Sequence, residues 1–166
     1  MMNRSGPAAP VFRRPVLPLV GGCPCGTIRY QVTARPLLLY ACHCTDCQHA
    51  SGGALAMNMP VRTEAFRVQT GEPKGWHRVS PSGDQTVSWF CGDCGGRIYG
   101  SRVSRPDTVN VRAGTLDDTS WLVPAAQIFV RSAQPWVQLH EAACHETLPP
   151  DFASLAKTWR AGWDAS

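Results

Sequence analysis

Seven of the chain's eight cysteines stand in three short clusters: Cys23-Pro-Cys25, Cys42-His-Cys44-Thr-Asp-Cys47 and Cys91-Gly-Asp-Cys94. Thiolates so closely spaced are ligands for a soft, tetrahedral metal ion, and zinc suits them best. Eight cysteines in a secreted chain would instead suggest four disulfides. The N-terminal stretch argues for a reducing compartment, since its apolar piece Val16–Val20 is broken by Pro18 and is too short for a secretory signal. Metal is therefore expected over disulfides, and the isolated Cys144 is read as a free thiol.

Two clusters close with a glycine after the second cysteine, Gly26 in "CPCG" and Gly95 in "CGDCG". Glycine permits the tight backbone that aims amides at thiolate sulfurs. Cys23, Cys25, Cys91 and Cys94 together supply the four thiolates of a closed, structural zinc site. The remaining cluster, Cys42, Cys44 and Cys47, has three. If 41–44 is extended, Cys42 and Cys44 share a face and His43 points away, while Cys47 returns through a turn at Thr45-Asp46. Cys144, His140 or His145 could still reach in from afar. Three protein ligands and an open position are the pattern of a catalytic zinc, and that position suits a thiol substrate, whose pKa the metal lowers.

Around this cluster His49 is the candidate for proton transfer, and Ser51 with Gly52 the candidate for backbone contacts to the substrate. Asp117 and Asp118 are read as a turn or an acid–base pair. Arg97, Arg102, Arg105, Arg112 and Arg131 are read as solvated surface charges.

The elements that must hold these residues are mostly strands. Short apolar or alternating runs at 27–34, 54–59, 65–70, 75–80, 86–91, 96–101, 108–114 and 127–132 are separated by turn signals such as "GEPKG" and "SPSGD". Strands at this spacing, with no interleaved helical patterns, predict a mainly antiparallel β fold. One helix is predicted near the C-terminus, with Asp151 as N-cap and Phe152, Leu155, Ala156, Trp159 and Trp163 forming its packed stripe.

The whole chain sets the outer limits. Its 166 residues suit one domain, expected over 21–166, with a flexible basic arm at 1–20. No apolar run approaches a membrane span, so no membrane partner and a cytoplasmic location are expected. The formal charge is +4, but seven thiolates and two Zn²⁺ would bring the chain to about +1, and the basic residues are scattered. Nucleic acid is thereby excluded as an expected partner.

"GGCPCGTIRYQV", "ACHCTDCQHASG", "FCGDCGGRIYG", "AGTLDD" and "PWV" together resemble the glutathione-dependent formaldehyde-activating enzymes, a family that includes centromere protein V relatives. The resemblance runs from about Gly22 to Val137. It implies a β-tent fold, mainly β, of small antiparallel sheets around two zinc sites, with the short C-terminal helix read from the sequence added. It implies one structural zinc on Cys23, Cys25, Cys91 and Cys94 and a second on Cys42, Cys44 and Cys47. The implied activity is that of a carbon–sulfur lyase condensing a glutathione-type thiol with formaldehyde or another small aldehyde. The partner would be that thiol, and Arg97, Arg102, Arg105, Arg112 and Arg131 would be candidate partners for the carboxylates of glutathione. The alternatives are a non-catalytic zinc module that binds a protein, or a thiol and metal sensor. Gln127 stands where the family often has a histidine.

Overall fold

The computed structural model describes residues 13–80, 82–137, 139 and 142–165. In chain order the elements are β1 (Leu19–Gly22), β2 (Arg29–Val32), β3 (Tyr40–Cys42), α1 (Thr45–Ser51), β4 (Ala56–Arg62), β5 (Phe66–Thr70) and β6 (Lys74–Val79). There follow β7 (Gln85–Phe90), β8 (Arg97–Arg102), β9 (Thr108–Arg112), β10 (Ala126–Ile128), β11 (Ala143–His145) and α2 (Phe152–Ala165). The fold is mostly β, in two sheets, with one short C-terminal helix. The smaller sheet has the order β1-β2-β5 and the larger β11-β10-β3-β4-β9-β8-β7-β6.

Alternation along the strands decides what each sheet buries. Tyr30 and Val32 point inward from β2, and Val109 and Val111 from β9, while their neighbours stay partly exposed. An aromatic row joins the sheets. Tyr30 lies 5.3 Å from Phe66, Phe66 lies 4.7 Å from Tyr99, and Tyr99 stacks on Trp89 at 5.7 Å. Each buried aromatic of this kind contributes roughly 2–3 kcal/mol through removal of apolar surface from water.

Asp151 accepts from the Ser154 amide at 2.8 Å, the N-cap contact expected for α2. The helix then buries Trp163 against Trp121, ring centroids 5.6 Å apart, with Trp159 at 5.7 Å from Trp163. At its start Phe152 meets Tyr40 edge-on at 5.7 Å, so α2 also bears on β3.

Several expectations need correction. The sheets are not wholly antiparallel, because β10 runs parallel to both β3 and β11. The strand expected over 127–132 ends at Ile128. Phe129 turns into the left-handed region at φ 57°, and Val130–Ser132 form a 3₁₀ turn. β1 starts at Leu19, so the last two residues of the stretch read as an arm are strand, and Leu19 is core. Residues 1–12 of that stretch lie outside the described residues. The larger sheet ends at β6, whose residues are mostly exposed, Trp76 and Val79 among them. No helix among the described residues is long and apolar enough to cross a membrane.

Candidate metal centres

Cys23 and Cys25 lie on the loop from β1 to β2, and Cys91 and Cys94 on the loop from β7 to β8. Both loops are tight knuckles. Gly26 donates to the Cys23 carbonyl at 3.0 Å and Gly95 to the Cys91 carbonyl at 2.9 Å. Gly26 and Gly95 have φ of 81° and 73°, conformations that L side chains rarely adopt. The four sulfurs lie within 4.8 Å of one another. Cys23 and Cys25 are 3.3 Å apart and Cys25 and Cys91 3.7 Å. Tetrahedral zinc with four thiolates places its sulfurs about 3.8 Å apart, so the donor set fits that ion. The Ile28 amide donates to Cys23 Sγ at 3.2 Å. Cys25 Sγ donates to the Thr27 hydroxyl at 3.3 Å. Thr27 in turn donates to Asp93 at 3.0 Å, so the two knuckles are hydrogen-bonded as well.

The second cluster is built from one strand end and one helix start. Cys42 ends β3, Cys44 caps α1 and Cys47 lies in its first turn. The turn expected at Thr45-Asp46 is therefore the opening of a helix. Its cause is the Cys44 sulfur, which accepts from the Cys47 amide at 3.4 Å and takes the place of a serine or aspartate cap. The three sulfurs lie within 4.8 Å of one another, and Cys42 and Cys44 are 3.4 Å apart. Among the described residues no further cysteine, histidine or carboxylate belongs to the group. Cys44 is the most acidic of the three, through hydrogen bonds from Cys42 first and Cys47 second. Cys42, mostly buried, is pushed up by its bonds to the same two thiols and by desolvation. One ion held by three thiolates fits this set as well as the first.

His43 is fully buried and turned away from the sulfurs, as alternation requires. Its Nε2 lies 3.1 Å from Gln127 Oε1. Gln127 donates onward to the Leu139 carbonyl at 3.1 Å and to Cys144 Sγ at 3.4 Å. The residue standing in place of a family histidine thus braces the strand behind the cluster. Cys144 is exposed and lies in neither group, His145 is half-buried on β11, and His140 lies outside the described residues.

Helix periodicity sorts the other candidates. Ser51 is one turn beyond Cys47 and shares its face, whereas exposed His49, two residues on, lies about 200° around the helix. Ser51 and Gly52 also close α1. Gly52 has φ 63°, and Ser51 Oγ accepts from the Gly53 amide at 3.2 Å. Asp117 and Asp118 lie elsewhere. Asp117 pairs with Arg29, and Asp118 accepts from Ser120 at 2.7 Å. "AGTLDD" braces the smaller sheet: Thr115 meets the Tyr30 hydroxyl at 2.8 Å, and Asp117 N–H donates to Val20 O at 3.0 Å.

Sequence reasoning missed four residues. Arg78 on β6 pairs with Asp46, which sits between Cys44 and Cys47. Tyr40, Asn58 and Asn110 form a polar row beside Cys42. Asn110 donates to the Tyr40 hydroxyl and to Asn58 Oδ1, both at 3.2 Å, and Asn58 also receives Arg112. Burial raises the Tyr40 pKa to about 12, with the charges of Cys42 and Cys47 adding to the shift. Alternation pointed to Tyr40, which lies two residues before Cys42 on one strand and so shares its face. Asp46–Arg78 joins α1 to β6, which are too distant in sequence to foresee. Of the arginines named from sequence, Arg97 and Arg112 come to this region. Arg102 instead lies 3.5 Å from Asp84.

A family model described as "Glutathione-dependent formaldehyde-activating enzyme" matches residues 18–132. Among solved structures, the crystal structure of a Rhodobacter sphaeroides protein is similar to this chain with a TM-score of 0.50 and 22% identity, over 61% of this chain and 90% of that one. At that identity the likeness is one of fold. No curated protein matches the chain.

Proposed function

Because the chain belongs to the glutathione-dependent formaldehyde-activating enzyme family, we propose that it is a carbon–sulfur lyase acting on a glutathione-type thiol and formaldehyde or another small aldehyde. The observation that carries this reading is the unequal division of the cysteines. Four sulfurs gather on two glycine-closed knuckles, and three gather at the mouth of a short helix. We assign zinc to both groups, structural on Cys23, Cys25, Cys91 and Cys94, and with a place for substrate on Cys42, Cys44 and Cys47. When bound at the second group, zinc supplies acidification of a coordinated thiol and polarisation of a carbonyl.

The chain's own residues do the rest. β3 fixes Cys42 between two paired neighbours, β4 and β10. Asp46–Arg78 and Gln48, which donates to the Ser132 carbonyl at 2.7 Å, clip α1 on two sides. These contacts hold the thiols in one geometry before substrate arrives. In the reaction the substrate sulfur bonds to the aldehyde carbon, the carbonyl π pair moves to oxygen, and that oxygen takes a proton. We assign proton carriage to His49 through solvent, and backbone-amide contacts with the substrate to Ser51 and Gly52.

Metal analysis and X-ray absorption test the reading. Two zincs per chain are expected, and glutathione should add a sulfur scatterer to one of them. A single zinc after full loading, or no change in the sulfur shell at saturating glutathione, would defeat it.

A further inference from the structure

Three arginines from three strands converge beside the three-cysteine cluster. Arg78 on β6 reaches Asp46 in the first turn of α1, between Cys44 and Cys47. Arg112 on β9 stands opposite Asn58 in register and donates to it, in the row that carries Tyr40. Arg97 on β8 is half-buried, and among the described residues its guanidinium has no hydrogen bond and no ion pair. Arg78 and Arg112 both repel its charge, and Cys47 attracts it. Burying a guanidinium beside two others costs free energy, and a guanidinium cannot escape the cost by losing its proton. Two of the three have acceptors that offset the cost. The third has five N–H donors and no acceptor, within the electrostatic reach of Cys47.

We propose that Arg78, Arg97 and Arg112 form an anion-recognition face, with Arg97 the guanidinium that takes a carboxylate of the incoming thiol. The inference rests on the thiol-substrate reading above and adds to it the side chain that would select a thiol carrying a carboxylate. A carboxylate matches the guanidinium fork and makes charge-assisted hydrogen bonds, which a neutral thiol of the same length cannot. There is one rival role for Arg97. Three thiolates on a divalent cation leave a net negative charge, and a fourth thiolate adds to it; in the rival role Arg97 only balances that charge. The two roles separate cleanly. Charge balance helps every thiol equally, whereas carboxylate recognition helps only the acid.

The test compares 3-mercaptopropionate with 2-mercaptoethanol by isothermal titration calorimetry on the zinc-loaded full chain, corrected for each thiol's own ionisation. The acid should bind about tenfold more tightly or better, as charge-assisted hydrogen bonds imply. Arg97→Gln should bring the ratio of the two affinities to within about twofold, while Arg97→Lys keeps part of it. Added salt should erode the ratio in the wild type and not in Arg97→Gln. Equal binding of both thiols by the wild type would overturn the proposal and leave the thiol reading standing. A ratio that persists in Arg97→Gln would overturn the role of Arg97. If neither thiol binds, the thiol reading fails and the proposal falls with it.

Discussion

Cysteines of one chemical type do different work because their backbones differ. Cys91 is fully buried on a knuckle that joins two distant loops, and Cys44 is half-exposed at a helix cap. Cys91→Ser should therefore lose one zinc and several kcal/mol of stability, since structural zinc binding is coupled to folding. Cys44→Ser should also lose one zinc, yet keep its far-UV circular dichroism and most of its melting temperature. Equal unfolding by both would contradict the division. At Asp117 the prediction concerns pH. Hydrogen bonding to Arg29 holds this carboxyl below its usual range. A depressed folded pKa gives stability that is present above the unfolded value, about 4, and lost as pH falls through the folded one. The pair is exposed, so its worth is about 0.5 kcal/mol or less. The melting-temperature gap between wild type and Asp117→Asn should be small at neutral pH and close below about pH 4.

Among the elements, α2 was the easiest to foresee. Its stripe, its cap at Asp151 and its burial of Trp163 all follow from local periodicity. Trp163→Ala should cost about 3–5 kcal/mol in urea denaturation, because a large cavity opens against Trp121. The central strands were likewise visible, to within two or three residues, since half-buried pairs alternate. Other elements were not. α1 is seven residues long, has no buried residue, and is started by a sulfur rather than by a usual cap. β11 is three residues long and has no sequence signal, and for β10, which the run at 127–132 indicates in part, the parallel pairing with β3 and β11 has none. Nothing local in "AQI" or "ACH" encodes those partners.

For the whole molecule, the grouping of seven cysteines into four and three was legible because spacing and glycine placement carry it. The surroundings of the three were not. Arg78, Asn58 and Asn110 come from strands β6, β4 and β9, and only the sheet order brings them to β3 and α1. Gln127 was noticed as a departure, but its use as a brace for His43 depends on the parallel register of β10 with β3.

The open flank at β6 bears on how this protein behaves in concentrated solution. A strand at the rim of a sheet offers unpaired amides and carbonyls to any second copy, and Trp76 and Val79 would add apolar contact. The same six residues carry Lys74 and Arg78. Arg78 is paired with Asp46, so two rims meeting would bring together chiefly the Lys74 charges, and their repulsion guards the edge at low ionic strength. Screening it should expose the hazard: as salt rises, light scattering on heating should begin at lower temperature, and Trp76→Glu should delay it. If scattering onset is indifferent to both, colloidal stability is set on another face.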